Sequence, residues 1–74
     1  MGIFIFNDSV VFHKLTSLKI INLVLKGLQD KYPVNVLPEY SSEKDFYKYK
    51  FKEPISDELL KQAYIYLDKY NKNA

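Results

Sequence analysis

Residues 46–52 read Phe46-Tyr47-Lys48-Tyr49-Lys50-Phe51-Lys52. From Tyr47 onward aromatic and lysine residues alternate without a break. Side chains of a strand point to opposite faces in turn, so this is the clearest strand signal in the chain. Tyr47, Tyr49 and Phe51 form one face, and Lys48, Lys50 and Lys52 form the other. An aromatic row of this kind packs beneath a helix, which assigns it to the core.

The neighbouring segments supply that helix layer. Pro54-Ile55-Ser56-Asp57-Glu58 opens a helix, with Ser56 as cap and acids in the first turn where the helix dipole favours them. Ile55 precedes the cap and can staple to Leu60. The helix runs to about Tyr70, and fraying is expected from about Asn71. On the other side, Ser41 to Asp45 is the most polar stretch and reads as a loop. Val34 to Leu37 reads as a strand that Pro38 ends or places at a sheet edge.

Residues 16–32 read as another helix, capped by Thr16 or Ser17 and stopped by Pro33. Leu18, Ile21, Val24, Leu25, Leu28 and Tyr32 share one arc at about 100° per residue. Residues 3–6 are four consecutive β-formers, followed by the turn cluster Asn7-Asp8-Ser9. Val10 to Phe12 is either a short strand closing a hairpin or an extended lead into the helix. The helix ends Asp30-Lys31-Tyr32 and Asp68-Lys69-Tyr70 are alike, a likeness short enough to arise by chance.

The expected fold class is therefore α+β. It is one small two-layer domain over residues 1–74, an antiparallel sheet of three or four strands with two helices, in the order β-(β)-α-β-β-α. That order resembles the small DNA-damage-inducible regulators that bind recombinase filaments, in element order and length only. Their final helix is strongly acidic, whereas here Asp57, Glu58 and Asp68 are offset by Lys61 and Lys69, so membership is not implied.

Composition narrows the function classes. A chain of 74 residues holds one domain and buries only about 60% of its unfolded surface. It has no cysteine and one histidine, which excludes disulfides, thiol chemistry and the usual zinc sites. All eleven basic residues are lysine, and the net charge is only +2. Arginine is the residue of bidentate base and phosphate recognition, so its absence argues against sequence-specific nucleic-acid reading. Coding bias toward Lys, Asn, Tyr and Ile is the plainer explanation of the lysines. No apolar run reaches the length of a membrane span. Met1 to Phe6 lacks a basic flank and is expected to be neither signal peptide nor anchor. Phe6 stands where N-myristoylation of Gly2 would need Ser or Thr. The expected location is cytoplasmic.

No catalytic constellation emerges. His13 could pair only with Ser9 and Asp8 in one local turn, and a satisfied surface histidine is the plainer reading. Glu43, Asp45, Glu53, Asp57 and Glu58 do not match the spacing of a calcium loop. Gly2 and Gly27 are the only glycines, so no phosphate-cradling loop exists. The expectation is a non-enzyme with no cofactor, no metal, no small-molecule substrate and no membrane partner.

Two surfaces remain. Ile20, Leu23 and Gly27 form a second stripe on the first helix, Ile65 lies on the polar side of the last helix, and Phe4 and Phe6 make both faces of the first strand apolar. A single small core cannot hold them all, which points to a protein interface. The expected partner is a second copy (a homodimer) or a larger protein that the chain inhibits or adapts. Size and composition match phage and mobile-element products, by analogy alone. The alternative is nucleic-acid binding. Lys44, Lys48, Lys50 and Lys52 would grip a backbone along a row roughly 13 Å long, with Phe46 and Tyr40 stacking bases. Lysines that merely guard a sheet edge are the plain counter-reading.

Overall fold

The computed structural model describes residues 2–72. Its elements are β1 (Ile3–Ile5), β2 (Ser9–His13), α1 (Leu18–Lys31), β3 (Val36–Ser42), β4 (Phe46–Phe51) and α2 (Asp57–Lys72). Among the described residues the strands form one antiparallel sheet in the order β1-β2-β4-β3. The α+β class and the element order thus stand as read from the sequence, with Val10 to Phe12 inside a true strand.

Register divides the sheet into two faces, because directly paired residues share a face. Ile3 pairs with Phe12, Ile5 with Val10, Phe12 with Tyr47 and Val10 with Tyr49. These residues join Ile21, Val24 and Leu28 of α1 and Ala63, Tyr66 and Leu67 of α2 in one core cluster. Both helices therefore cover the same face. Phe12 and Tyr49 meet edge to face at 5.7 Å, and the Tyr47-Tyr49-Phe51 row lies on the core side, with Phe51 buried.

Helix limits follow local chemistry. Ser17 caps α1, its hydroxyl accepting from the Ile20 N–H at 3.3 Å. The Tyr32 N–H donates back to Leu28 O at 3.3 Å before Pro33 ends the helix. Ser56 Oγ accepts from the Leu59 N–H at 3.2 Å to start α2.

Three expectations change. The strand expected at Val34 to Leu37 starts at Val36 and runs on to Ser42, taking in Ser41 and Ser42 from the expected loop. Pro38 is tolerated because β3 is an edge strand, and the register is irregular between Val36 and Tyr40. Asn71 and Lys72 are helical rather than frayed, while Asn73 and Ala74 lie outside the described residues. Asn71 is held because its side-chain amide pairs with the backbone of Ile3. Oδ1 accepts from the Ile3 N–H and Nδ2 donates to Ile3 O, both at 3.1 Å. This imitates a neighbouring strand at the outer edge of β1.

The other end of β1 is also tied to α2. Asn7 Nδ2 donates to Ile55 O at 2.9 Å and to Asp57 Oδ1 at 3.0 Å, and the Ile55 N–H donates to Asn7 O at 2.7 Å. Thus α2 lies along β1, fastened at both ends. Gly2 has φ of +97°, a conformation that favours glycine.

Candidate functional site

The face opposite the helices is open, and its rows can be read from the register. One row is Phe4, Val11, Lys48 and Ser41. The next holds Phe6, Ser9 and Lys50, with the Phe6 N–H donating to Ser9 O at 2.8 Å. The third holds Gly2, His13 and Phe46, with Glu43 beside Phe46 through its N–H to Phe46 O at 2.8 Å. Phe4 is 43% and Phe6 53% exposed, although both belong to the most apolar segment of the chain. Phe4 and Phe46 meet edge to face at 6.1 Å, and His13 packs on Phe46 at 5.5 Å. A shallow depression of about 380 Å³ crosses this face between Phe6, Val11, Phe46 and Lys48. A wider groove of about 740 Å³ starts at Phe4, His13 and Phe46 and turns the sheet end toward Leu15, Ile20 and Tyr70.

The charge on this face is mixed. Lys48 and Lys50 project there from β4, while Asp8 and Glu43 line the same depression as Lys48. Lys44 lies in the β3–β4 loop and Lys52 just past β4, both exposed. Phe46 shares the face with these lysines. Tyr40 does not. It pairs with Tyr49 and packs on Tyr47 and Tyr49 at 5.5 and 5.2 Å, on the helix side. The expected grouping of Tyr40 with the lysine row is therefore corrected by strand parity.

The helix-layer candidates are dispersed. Ile20 is half-buried against the core, Leu23 is exposed, and Ile65 is 76% exposed on α2. Gly27 is taken up inside the molecule. A Cβ built on it would overlap the Tyr66 hydroxyl and stand 2.5 Å from Tyr66 Cζ. This position of the second stripe is thus covered by the Tyr66 side chain of α2 in the same chain rather than left for a partner. Around it, Tyr32 and Tyr70 flank the Tyr66 ring at 5.6 and 5.5 Å. Lys31 and Lys69 lie over that ring at 5.5 and 5.0 Å. The two similar helix ends thus converge on one tyrosine. Burial holds the Tyr66 hydroxyl well above the ordinary tyrosine range, and the neighbouring Tyr70 hydroxyl at 3.4 Å adds to this.

The polar groups considered for catalysis are apart. Ser9 Oγ donates to Asp8 Oδ1 at 3.1 Å at the start of β2. His13 is at its far end, where Nδ1 accepts from the Leu15 N–H at 3.1 Å. Among the described residues no group of three or more His, Asp or Glu side chains is placed to hold a metal ion. Among them too, no helix is long and apolar enough to cross a membrane.

Val11, His13 and Leu15 are the residues that sequence reasoning left off the site. Parity carried back from Lys48 places Phe46 on the open face. Val11 joins it only through the pairing of β2 with β4, which no local pattern announces. Comparison with known protein families, curated proteins and solved structures finds no match to this chain.

Proposed function

We propose that this chain is a non-catalytic protein-interaction module of the cell interior, a small self-associating, inhibitor or adaptor domain that docks through its open sheet face. The observation that carries this reading is the exposure of Phe4 and Phe6 beside Phe46 and Val11, on the face that neither helix covers. Apolar patches bordered by polar groups mark interfaces, and aromatic side chains are enriched there. A phenylalanine buries about 150–250 Å². Covering the exposed halves of Phe4 and Phe6 removes roughly 200 Å² from water, worth about 5 kcal/mol before the costs of association. Asp8 and Glu43 beside Lys48 suit a protein partner better than a polyanion.

The test is a photoreactive benzophenone side chain in place of Phe6, with a control at Glu53. Adducts to polypeptide at position 6 that vanish with Val11→Asp support the module. Absence of protein adducts refutes it. Nucleic-acid binding draws support from Phe46 lying with Lys48 and Lys50. It requires salt-dependent capture of single-stranded oligonucleotides that is lost when Lys44, Lys48, Lys50 and Lys52 become Gln.

A further inference from the structure

We infer that the occupant of the open face is a second copy of this chain, packed face to face about a two-fold axis running over β2. This rests on the reading of that face as a protein interface.

β1 and β4 flank β2 on either side, each about 4.8 Å away. A two-fold axis along β2 therefore lays β1 of one copy over β4 of the other. Two of the three rows of the face are suited to that exchange. In the row Phe4–Val11–Lys48, each Phe4 ring meets the other copy's Lys48, and Val11 meets Val11 on the axis. In the next row each Phe6 meets the other copy's Lys50. An ammonium over an aromatic ring is attracted by the ring's quadrupole, and the lysine stem covers apolar surface. In the third row Phe46 meets Gly2, and His13 meets His13 on the axis. No lysine faces a lysine. A self-complementary patch of this kind is what a two-fold interface requires. Tilting the axis from β2 by about 15° gives the roughly 30° crossing usual for aligned sheets.

The edges of the sheet favour this mode over strand addition. Asn71 occupies the outer edge of β1 at Ile3. Pro38 and an irregular register interrupt β3. A small protein typically gives about a tenth of its surface to an interface; for a molecular surface of 5138 Å² that share would bury about 1,000 Å² over two copies, the lower end for a specific interface. A contact of that size belongs with weak, reversible associations, and area alone does not set its affinity.

The experiment is sedimentation equilibrium of the full chain from a few micromolar to several hundred micromolar. The unaltered chain is expected to pass from monomer to dimer. Phe4→Lys sets lysine against Lys48 and is expected to weaken the dimer at least tenfold. Adding Lys48→Glu to that variant restores association to within about threefold. Leu23→Glu, on the helix layer, leaves it unchanged. Lys50→Glu weakens it independently, with circular dichroism confirming the fold of each variant. A chain that stays monomeric throughout, a dimer indifferent to Phe4→Lys, or a double variant without rescue overturns the proposal. If monomeric protein still gives Phe6 adducts to another polypeptide, the second copy is wrong and the interaction reading stands. If no adduct forms, the reading itself fails.

Discussion

Replacing Gly27 with alanine isolates the contact that joins the two helices. In an open helix the change stabilises by about 1 kcal/mol, because glycine is the poorer helix former. Here the new methyl would overlap the Tyr66 hydroxyl and come within 2.5 Å of Cζ. The ring cannot swing aside freely, since Tyr32 and Tyr70 flank it at 5.6 and 5.5 Å. Either α1 moves away from α2 or the tyrosine cluster breaks. Forcing an extra methyl into packed surroundings costs about 1–3 kcal/mol, and a lost aromatic pair adds about 0.5–1.5 kcal/mol. The expected net loss is roughly 1–2 kcal/mol, or about 4–16 °C in Tm for a domain of this size. Urea unfolding followed by circular dichroism, at one low protein concentration, measures it. The same substitution made on Tyr66→Leu should stabilise by about 0.5–1 kcal/mol, because the helix preference is then unmasked. The cycle should show a coupling of about 2 kcal/mol. Stabilisation by Gly27→Ala alone, or equal effects in both backgrounds, would refute the role given to Tyr66.

Asn71→Ala removes both hydrogen bonds to Ile3. It should lower stability by about 1–2 kcal/mol and speed hydrogen exchange at the Ile3 amide; unchanged exchange there would contradict the clamp. Ser17→Ala should cost about 1 kcal/mol through loss of the α1 cap, measurable as a shift in the urea midpoint at constant slope. Burial raises the hydroxyls of Tyr66 and Tyr49 above the ordinary tyrosine value. The unfolded chain therefore loses these protons first, so their contribution is complete below about pH 10 and declines as pH rises beyond it. Alkaline unfolding curves should show that fall, and Tyr66→Leu should lessen it.

What was legible in the sequence depended on whether one face of an element is buried. β4 was readable because Tyr47, Tyr49 and Phe51 alternate with lysines, and only one register hides the aromatics. α1 was readable from its apolar arc and from Pro33. β3 was misplaced because beyond Val36 its residues are exposed, so no burial pattern marks it; hydrogen bonds from β4 make it a strand. Asn71 looked like the start of a polar tail because nothing near it in sequence shows that its amide reaches Ile3.

The candidate site divides in the same way. Periodicity and turn chemistry act within a few residues, and they suffice to place Phe4 and Phe6 on one side of a strand and Lys48 and Lys50 on one side of another. They also place Gly27 on the second stripe of α1. What covers that glycine depends on helix packing, and the answer, Tyr66, lies far along the chain. Whether Phe46 sits with Phe4 or with Tyr40 depends on strand order. The sequence by itself therefore determined the elements, their apolar faces and the α+β class. Only the tertiary structure decided that both helices share one face, that Tyr66 fills the space at Gly27, and that phenylalanines and lysines flank β2 on one open surface. The physical reason is that strand pairing and helix packing join residues distant in sequence, and their register is selected by the burial of the whole core.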